Sequence, residues 1–432
     1  MEPVRPAGSG FFPLDEELAL LPGSLTPIQR DHLVHLGAVM PFAQGAKMLE
    51  TLLGVQVSEA TVRRMTEQAG TGYEQVQLLQ SQHVQAQEQP ASPAWFYAQE
   101  KPVPVAGKAV LSSDGAYVPL STGEWAEVRT LAIGQVQSHT TAQGEEQFKV
   151  SHLSYFSRMS TAEAFETLCE GELHRRGIRH VAQVCAVTDG AIWLQHFIDL
   201  HRPDALRILD FPHAAEYVNA IGEGVRQAGR HLPKQWLEGV LHRLKHQGPE
   251  RVLRHLSRLC EWCHDLEVEK KRRYLCTRQN LMHYPTYRAT GWPIGSGMVE
   301  SANKLVMQTR LKGPGMRWEP THVNPMLALR TAVCNDQWSE AWSLIQQQRQ
   351  HQQEQKRQQQ AIPRLTELVA STLLLLLRLR PPLPRPVPAE PAPKASPRPA
   401  EPAATLPGSW RPSAHHIWKC TPACRPKLVA KK

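Results

Sequence analysis

Two aspartates and one glutamate occupy positions from which they could serve a single acid-rich site. Asp114 and Asp189 are each followed by glycine, and each comes at the end of a short apolar run that predicts a β-strand. Glu300 falls in the first turn of a predicted helix, directly after the flexible Gly-Ser-Gly at 295–297. Carboxylates placed in this way suit divalent cations, because Mg²⁺ prefers carboxylate, water and phosphate oxygens.

Ordinary interpretations compete for each of these residues. An Asp-Gly pair more often marks a turn, and Glu300 with Lys304 makes a common surface ion pair of a helix. Paired carboxylates also suit the acid–base chemistry of a glycosidase, which would proceed in EDTA and without affinity for DNA. Asp210 ends a further apolar run and competes as a ligand. The choice depends on whether the predicted elements bring these positions together.

The order of the predicted elements brings two of the acids to one edge of a sheet. Three strands are followed by alternating helices and strands: strands 108–115, 127–133 and 147–156, helix 161–177, strand 180–190, helix 192–200, strand 205–210 and helix 214–227. This is the order of a ribonuclease-H-like α/β domain, an antiparallel hairpin region extended by parallel crossovers. Its first and fourth strands are neighbours, so Asp114 and Asp189 would meet where open sheets place ligands. With Glu300, they would hold two ions for phosphodiester cleavage.

The N-terminal segment predicts a helical DNA-binding domain over 26–92. Apolar residues recur at helical spacing, the pattern breaks at 54–58, and it resumes after Ser58, a good N-cap. Helix, short turn and second helix form a helix-turn-helix candidate, in which Arg63 and Arg64 would reach a groove or phosphates. The competing interpretation is an ordinary helical hairpin with a solvated basic face.

The charge balance favours a polyanionic partner. Lys and Arg exceed Asp and Glu by 49 to 40, and the sequence pI is about 9.2, which makes nucleic acid the simplest partner. The chain begins without a signal pattern, and its longest apolar run, 373–377, is too short to cross a bilayer. We therefore expect a cytoplasmic protein with reduced cysteines and no membrane partner. The isolated CxxC of Cys260 and Cys263 is a weak metal signal.

Composition divides the rest of the chain. A Gly/Pro-rich stretch over 1–25 predicts an irregular N-terminus. The α/β core would occupy 105–230, give way to an all-helical insertion over 231–285, and resume over 286–345 with the Glu300 helix and C-terminal helices. From 346 to 432, a Gln-rich segment (helix or coil) and then a Pro-rich stretch predict a disordered tail.

Four stretches of this sequence resemble bacterial insertion-sequence transposases of the ISKra4 family, within the wider DDE class. They are Ser-Asp-Gly at 113–115, Val-Thr-Asp-Gly at 187–190, Ile-Leu-Asp-Phe-Pro-His-Ala-Ala-Glu-Tyr at 208–217, and Gly-Trp-Pro-Ile-Gly-Ser-Gly-Met-Val-Glu-Ser at 291–301. The resemblance spans roughly residues 30–345. It implies that Asp114, Asp189 and Glu300 are the DDE triad and bind two Mg²⁺ or Mn²⁺ ions during cleavage and joining of DNA ends.

The same resemblance implies further roles and partners. Asp210 and His213 match an acid-x-x-His motif of similar transposases, for which we favour a structural or DNA-positioning role. The partners would be double-stranded DNA, both element ends and target, and a second copy of the chain in a homodimer or larger assembly at the nucleoid. The residues expected on DNA are Lys304, Arg310, Lys312 and Arg317, on phosphates, and Trp318, stacked on an unpaired base. Helix solvation is the alternative for Lys304 and Arg310.

The resembling transposases often carry a Cys-rich segment before the Pro-Leu-Asp-Glu at 13–16, and this chain opens without it. The expectation is a shortened N-terminus, which places full recognition of DNA ends in doubt. The alternative to an active transposase is therefore a catalytically inactive, transposase-derived protein that binds DNA.

Overall fold

The computed structural model describes residues 25–86, 105, 107–140, 146–261, 263 and 265–378. The irregular start expected over 1–25 lies outside these residues except for Leu25, as does the Pro-rich stretch beyond 378. The chain divides into two compact units, Met1–Arg364 and Leu365–Lys432. Apart from the end of the last helix, every element below belongs to the first unit.

A five-stranded mixed sheet forms the centre of an α/β fold, with the order β3-β2-β1-β4-β5. Its strands are Lys108–Pro119 (β1), Trp125–Thr140 (β2), Glu146–Arg158 (β3), Gln183–Thr188 (β4) and Leu206–Leu209 (β5). β1, β2 and β3 are antiparallel, whereas β1, β4 and β5 are parallel. The prediction that the first and fourth strands are neighbours is confirmed.

Helices cover both faces of the sheet, because alternate strand residues are apolar on each side. Leu111 packs with Phe165 and Phe197 on one face, whereas Val110 packs with Val218 on the other. The covering helices are Ala162–Leu168 (α4), Glu170–Arg175 (α5) and Ile192–His201 (α6) on the first face, and Phe211–Gln227 (α7) on the second. The helix predicted over 161–177 is therefore two short helices.

Within the described residues, three helices precede the sheet: Pro27–Val39 (α1), Phe42–Leu53 (α2) and Glu59–Gln85 (α3). The predicted break at 54–58 is confirmed, since Gly54 ends α2 with φ 64° and Ser58 caps α3 by accepting from the Thr61 N–H at 3.1 Å. A further break falls at Pro41, which has no N–H to continue α1. α3 also takes in most of a Gln-rich segment over 75–89.

The insertion predicted over 231–285 is helical, as expected. It comprises Trp236–Gln247 (α8), Pro249–Cys260 (α9), Leu266–Thr277 (α10) and Tyr284–Ala289 (α11). Val240, Leu244 and Leu256 of this segment are fully buried against α7 and the sheet face that α7 covers. The insertion therefore shares its core with β4 and β5, the strands that directly precede Asp189 and Asp210.

The Glu300 segment consists of Gly297–Ala302 (α12), a π-helical turn over Asn303–Gln308, and Thr309–Leu311 (α13). Val299, Ala302, Val306 and Met307 are buried, whereas Leu305, which has the apolar spacing of a helical stripe, is 47% exposed. The reason is the π turn, whose i→i+5 hydrogen bonding widens one turn and changes which residues face the core.

Two helices end the described chain: Pro320–Cys334 (α14) and Trp338–Arg378 (α15). The Gln-rich segment that begins at 346, predicted as helix or coil, is helical and continues α15 as far as Arg378. α14 packs on α3 so closely that a Cβ on Gly70 would meet the Pro325 carbonyl oxygen at 2.5 Å. Among the described helices, none is both long and apolar enough to cross a membrane.

Candidate active site

The register of the parallel strands places Asp114 and Asp189 side by side. Leu111 of β1 is level with Ala186 of β4, so the same register carried onward sets Asp114 level with Asp189. The Ser112 hydroxyl donates to the Val187 carbonyl oxygen at 2.7 Å and maintains this alignment to the end of β4. Two carboxylates that are distant in sequence thus reach the same edge of the sheet.

Asp210 lies in the same row. Thr188 of β4 is level with Leu209 of β5, and the Asp210 N–H donates to the Thr188 carbonyl oxygen at 2.8 Å. The next residue of each strand is an aspartate, Asp189 in one and Asp210 in the other. Three neighbouring parallel strands therefore deliver an acid each to the carboxyl edge of the sheet, where open α/β sheets bind ligands.

The sequence predicted that Asp114 ends its strand, and this prediction is wrong. β1 continues to Pro119, paired with β2 as far as Trp125. β4, however, ends at Thr188, so the β4 side of β1 is open from Asp114 onward. Gly115 does not supply the expected turn; a Cβ there would meet Glu127 Oε1 at 2.3 Å. The carboxylate reaches the sheet edge because the neighbouring strand stops, not because its own strand turns away.

Glu300 lies on α12 and lines the same cleft as the three aspartates. Val299 and Ala302 are buried in the core that also contains Val118 and Val128 of the β1–β2 hairpin, which leaves Glu300 exposed. One cleft of about 110 Å³ collects the predicted acids. Its polar lining includes Asp114, Asp189, Asp210, His213, Glu216 and Glu300.

The charges of these acids act on one another. Burial raises the pKa of the Asp114 carboxyl, and the negative charges of Asp189 and Glu300 raise it further. The Gly115 N–H, which donates to Asp114 Oδ1 at 2.7 Å, opposes these effects and favours the charged form. The pKa remains above its ordinary value, so the negative charge is stabilised less here than in water. A cation in the cleft would stabilise the negative charge of Asp114 and so offset the effects of burial and of the neighbouring carboxylates.

Asn303 is a site residue that the sequence did not predict. It is only 4% exposed, and its Nδ2 donates to Asp114 Oδ2 at 3.1 Å. Its Oδ1 is buried and has no hydrogen-bond partner among the described residues. The spacing in the sequence provided a partial indication, because Asn303 lies three residues after Glu300 and so on the same side of a helix. The π turn that begins at Asn303 could not be predicted from the apolar periodicity.

The buried side chain of Asp210 makes two hydrogen bonds that suit the structural role we favour for it. The side chain is 4% exposed and caps α7, with Oδ2 accepting from the His213 N–H at 3.1 Å. Oδ1 accepts from the Ser296 N–H at 2.7 Å, and the neighbouring Phe211 N–H donates to the Ile294 carbonyl oxygen at 2.8 Å. Asp210 therefore fastens the Gly-Ser-Gly segment, and with it the start of the Glu300 helix, to the end of β5.

Replacing Asp210 with alanine should destabilise the fold by about 3 kcal/mol, because it removes a helix cap and leaves a buried N–H unpaired. Urea unfolding at neutral pH measures this loss. The matched control is Asp265→Ala, which removes the exposed cap of α10 (2.8 Å to the Glu267 N–H) and should cost about 1 kcal/mol. Equal losses in the two variants would contradict the fastening role of Asp210.

His213, the partner of Asp210 in the acid-x-x-His motif, lies in the cleft with its side chain 27% exposed. Its Nδ1 is 4.0 Å from Glu216 Oε2, and its ring is 5.0 Å from that of Tyr217. The structure thus gives His213 a place beside the acids and next to an aromatic side chain of α7.

The predicted DNA contacts divide into exposed and buried residues. Arg310 is wrong as a surface contact: it is 1% exposed, donates to the Gly37 carbonyl oxygen at 3.0 Å, and lies over the Phe42 ring. Trp318 is likewise buried, at 6% exposure, with its indole N–H donating to the Leu311 carbonyl oxygen at 2.9 Å. Both hold α2 and α13 together. The other predicted contacts are exposed: Arg63, Arg64, Lys304, Lys312 and Arg317.

The chemistry of the cleft suits a hard divalent cation, because its predicted ligands are all carboxylate oxygens. The charge repulsion at Asp114 supports the same fit. However, within the residues described, no group of three or more His, Cys, Asp or Glu side chains is arranged to hold a metal ion as it stands. Asp114, Asp189 and Glu300 line one cleft without converging on a single point.

No family model matches the chain, and a search of curated proteins finds no match. Any assignment of function therefore depends on the residues of the cleft and the elements that position them.

Proposed function

We propose that this chain is a DNA transposase of the DDE class, which cuts the ends of an insertion sequence and joins them to target DNA. One observation carries the proposal: β1 and β4 are adjacent parallel strands whose register, carried onward, sets Asp114 level with Asp189, and Glu300 lines the same cleft. The acids come from distant parts of the chain, so a chance turn or a helix-surface pair does not account for their common location.

The arrangement of the sheet supports a ribonuclease-H-like core for this activity. Three antiparallel strands are extended by two parallel ones, in the order β3-β2-β1-β4-β5. An all-helical segment separates β5 from the Glu300 helix, as the resemblance to transposases implies. These features favour the proposed class over a glycosidase, for which the paired acids were the only support.

Asp114, Asp189 and Glu300 would hold two Mg²⁺ or Mn²⁺ ions. When bound, such ions activate the attacking oxygen and stabilise the leaving oxygen of a phosphodiester. The chain contributes orientation: the Gly115 N–H and Asn303 fix the Asp114 carboxylate, and the Ala191 N–H holds Asp189 Oδ1 at 2.8 Å. Glu300 is exposed, so binding of DNA and ions would draw its side chain toward the two aspartates.

The DNA-binding surface that we propose includes the helix-turn-helix candidate α2–α3. Gly54 forms the left-handed turn, and Arg63 and Arg64 are exposed near the start of α3. Arg63 is 3.4 Å from Glu59, but both side chains are more than half exposed, so this ion pair is weak. Lys304, Lys312 and Arg317, which are also exposed, would contact further phosphates. Because two DNA ends must be held, we expect a homodimer or larger assembly on DNA.

Replacing Arg63 and Arg64 together with alanine should reduce the dependence of DNA affinity on salt. Each lost phosphate contact lowers the slope of log K against log salt by about 0.9 for duplex DNA, so the double variant should lose about 1.8. Fluorescence anisotropy with the full chain measures the slope. Arg251→Ala with Arg254→Ala, an exposed pair on α9, is the control and should leave it unchanged. An unchanged slope in the Arg63/Arg64 variant would remove both residues from the DNA surface.

The decisive experiment is cleavage of DNA that carries the sequences flanking the gene. The full chain with Mg²⁺ or Mn²⁺ should nick or cut at the element ends and produce joined products, and EDTA should stop both reactions. If the full chain binds this DNA but leaves it intact with either metal, the proposed catalytic function is wrong.

One observation favours a second function, an inactive DNA-binding protein derived from a transposase. It is the absence, among the described side chains, of three acids arranged around one ion. Such a protein would bind the same ends with the same salt dependence, yet would neither cut them nor bind Mn²⁺. The cleavage experiment therefore separates the two functions.

A further inference from the structure

The helical insertion contacts the turn that carries Asp189 through three hydrogen bonds. The Tyr274 hydroxyl, on α10, donates to the Asp189 carbonyl oxygen. Arg278, just past the end of α10, donates to the Gly190 carbonyl oxygen from both Nε (3.0 Å) and Nη2 (2.8 Å). All three bonds join the insertion to the two residues directly after β4.

Gly190 makes this contact possible. Its φ is +80°, a conformation that residues with a side chain rarely adopt. A Cβ at this position would meet Arg278 Nε at 2.7 Å and Cδ at 2.9 Å. The glycine thus does more than end the strand: it turns the carbonyl toward α10 and leaves room for the guanidinium.

The donors are themselves held in place by stacking. The Arg278 guanidinium lies 3.7 Å from the centroid of the Tyr274 ring. Tyr274 also stacks on Tyr217 of α7, with ring centroids 4.3 Å apart and planes within 18°. Tyr217 in turn contacts the His213 ring in the cleft. Stacked groups of this kind lose little freedom when they bond, so they can fix the position of a turn.

A second tyrosine of the insertion makes the equivalent bond to the next strand. The Tyr284 hydroxyl, on α11, donates to the Leu209 carbonyl oxygen at 3.0 Å. Leu209 is the last residue of β5 and directly precedes Asp210. Tyr284 is fully buried, so the carbonyl it satisfies is shielded from water. The insertion therefore secures the ends of both parallel strands that lead into the cleft.

We propose that Tyr274 and Arg278 are positioning residues of the acidic site, through which the helical insertion orients Asp189 toward the metal, while Tyr284 secures the neighbouring strand. This inference rests on the proposed function, because it assigns Asp189 as a ligand. Its consequence is that metal affinity depends on how the insertion docks on the strand ends. Residues that orient metal ligands without touching the metal typically affect affinity 10- to 100-fold.

The test measures Mn²⁺ binding by the full chain without DNA, using the electron paramagnetic resonance signal of free Mn²⁺. Tyr274→Phe, which removes only the hydroxyl, should weaken Mn²⁺ binding about tenfold, and Arg278→Lys should do the same. The matched control is Tyr287→Phe, whose hydroxyl donates at 3.0 Å to the Asn280 carbonyl oxygen within the insertion. It should leave Mn²⁺ affinity unchanged. Thermal melting of each variant confirms that the fold is retained.

Cleavage provides a second measurement. In Tyr274→Phe, the cleavage rate should recover when the Mn²⁺ concentration is raised about tenfold, because the metal ligands are intact and only their orientation is changed. If wild type binds Mn²⁺ and cuts DNA but Tyr274→Phe and Arg278→Lys match it in Mn²⁺ affinity, the positioning role is wrong and the proposed function stands. If wild type binds no Mn²⁺ and cuts no DNA, the proposed function fails, and this inference fails with it.

Discussion

Glu300→Gln should lower metal-dependent DNA cleavage by about a thousandfold or more while leaving DNA affinity nearly unchanged. The substitution keeps the size of the side chain but removes the charge that we assign to ion binding. An ion's stabilisation of transition-state charge amounts to several kcal/mol, and each 1.36 kcal/mol corresponds to a factor of ten in rate. Glu300 is exposed on α12, so the loss does not pass through the stability of the fold.

The matched control is Glu216→Gln. Glu216 also lines the cleft, but its carboxylate is 79% exposed and faces His213 from α7. We expect this variant to cut DNA at close to the wild-type rate. A large loss for Glu216→Gln together with normal cleavage by Glu300→Gln would move the third acid from the α12 helix to α7 and overturn the assignment of Glu300.

Asp114→Asn should abolish cleavage and, in the absence of metal, raise the melting temperature. Burial and the charges of Asp189 and Glu300 raise the pKa of the Asp114 carboxyl, so its negative charge opposes folding at neutral pH. An amide removes the charge, and Asn303 can turn its unpaired Oδ1 to accept from the new NH₂ group. Differential scanning calorimetry with EDTA measures the change.

The pH dependence of this effect has a definite sign. A carboxyl with a raised folded pKa binds its proton more tightly in the folded than in the unfolded state. Its contribution therefore favours folding below its ordinary value of 3.8 and is lost as the pH rises through the raised folded value. The advantage of Asp114→Asn should thus be present at pH 7 and disappear below about pH 4.

Mn²⁺ should make the wild type more stable than Asp114→Asn, which is the reverse of their order in EDTA. At a Mn²⁺ concentration one hundred times the dissociation constant, binding stabilises the wild type by about 2.7 kcal/mol. Asp114→Asn lacks a ligand and should gain little. The geometry indicates that the acids repel one another. This conclusion is wrong if EDTA-treated wild type is more stable than Asp114→Asn at pH 7.

Much of the fold was predictable because it depends on local patterns. Gly54 and Ser58 mark a turn and a cap by their backbone and side-chain chemistry, and both are where the sequence predicted them. The alternation of strands and helices was sufficient to place β1 beside β4. The two Asp-Gly pairs were recognisable for the same reason, since short apolar runs that end in an acid are visible without knowledge of the fold.

The errors arose where distant parts of the chain decide burial. Arg310 and Trp318 have the residue types of a DNA contact, but α1 and α2 cover them, and their polar groups bond to backbone carbonyls. Leu305 fits a helical stripe, but the π turn moves it outward. A prediction from helical periodicity assumes a uniform 3.6 residues per turn, so a single wider turn makes it assign the wrong residues to the buried face.

By itself, the sequence determined the identity of the acids, the strands that end beside Asp189 and Asp210, and the helix that carries Glu300. Only the tertiary structure decided how they are held: Asn303 against Asp114, Asp210 under the start of the Glu300 helix, and Tyr274 on the Asp189 carbonyl. The physical reason is that strand and helix formation depend on neighbours in sequence, whereas these hydrogen bonds join elements far apart in the chain, and their partners become neighbours only when the core has packed.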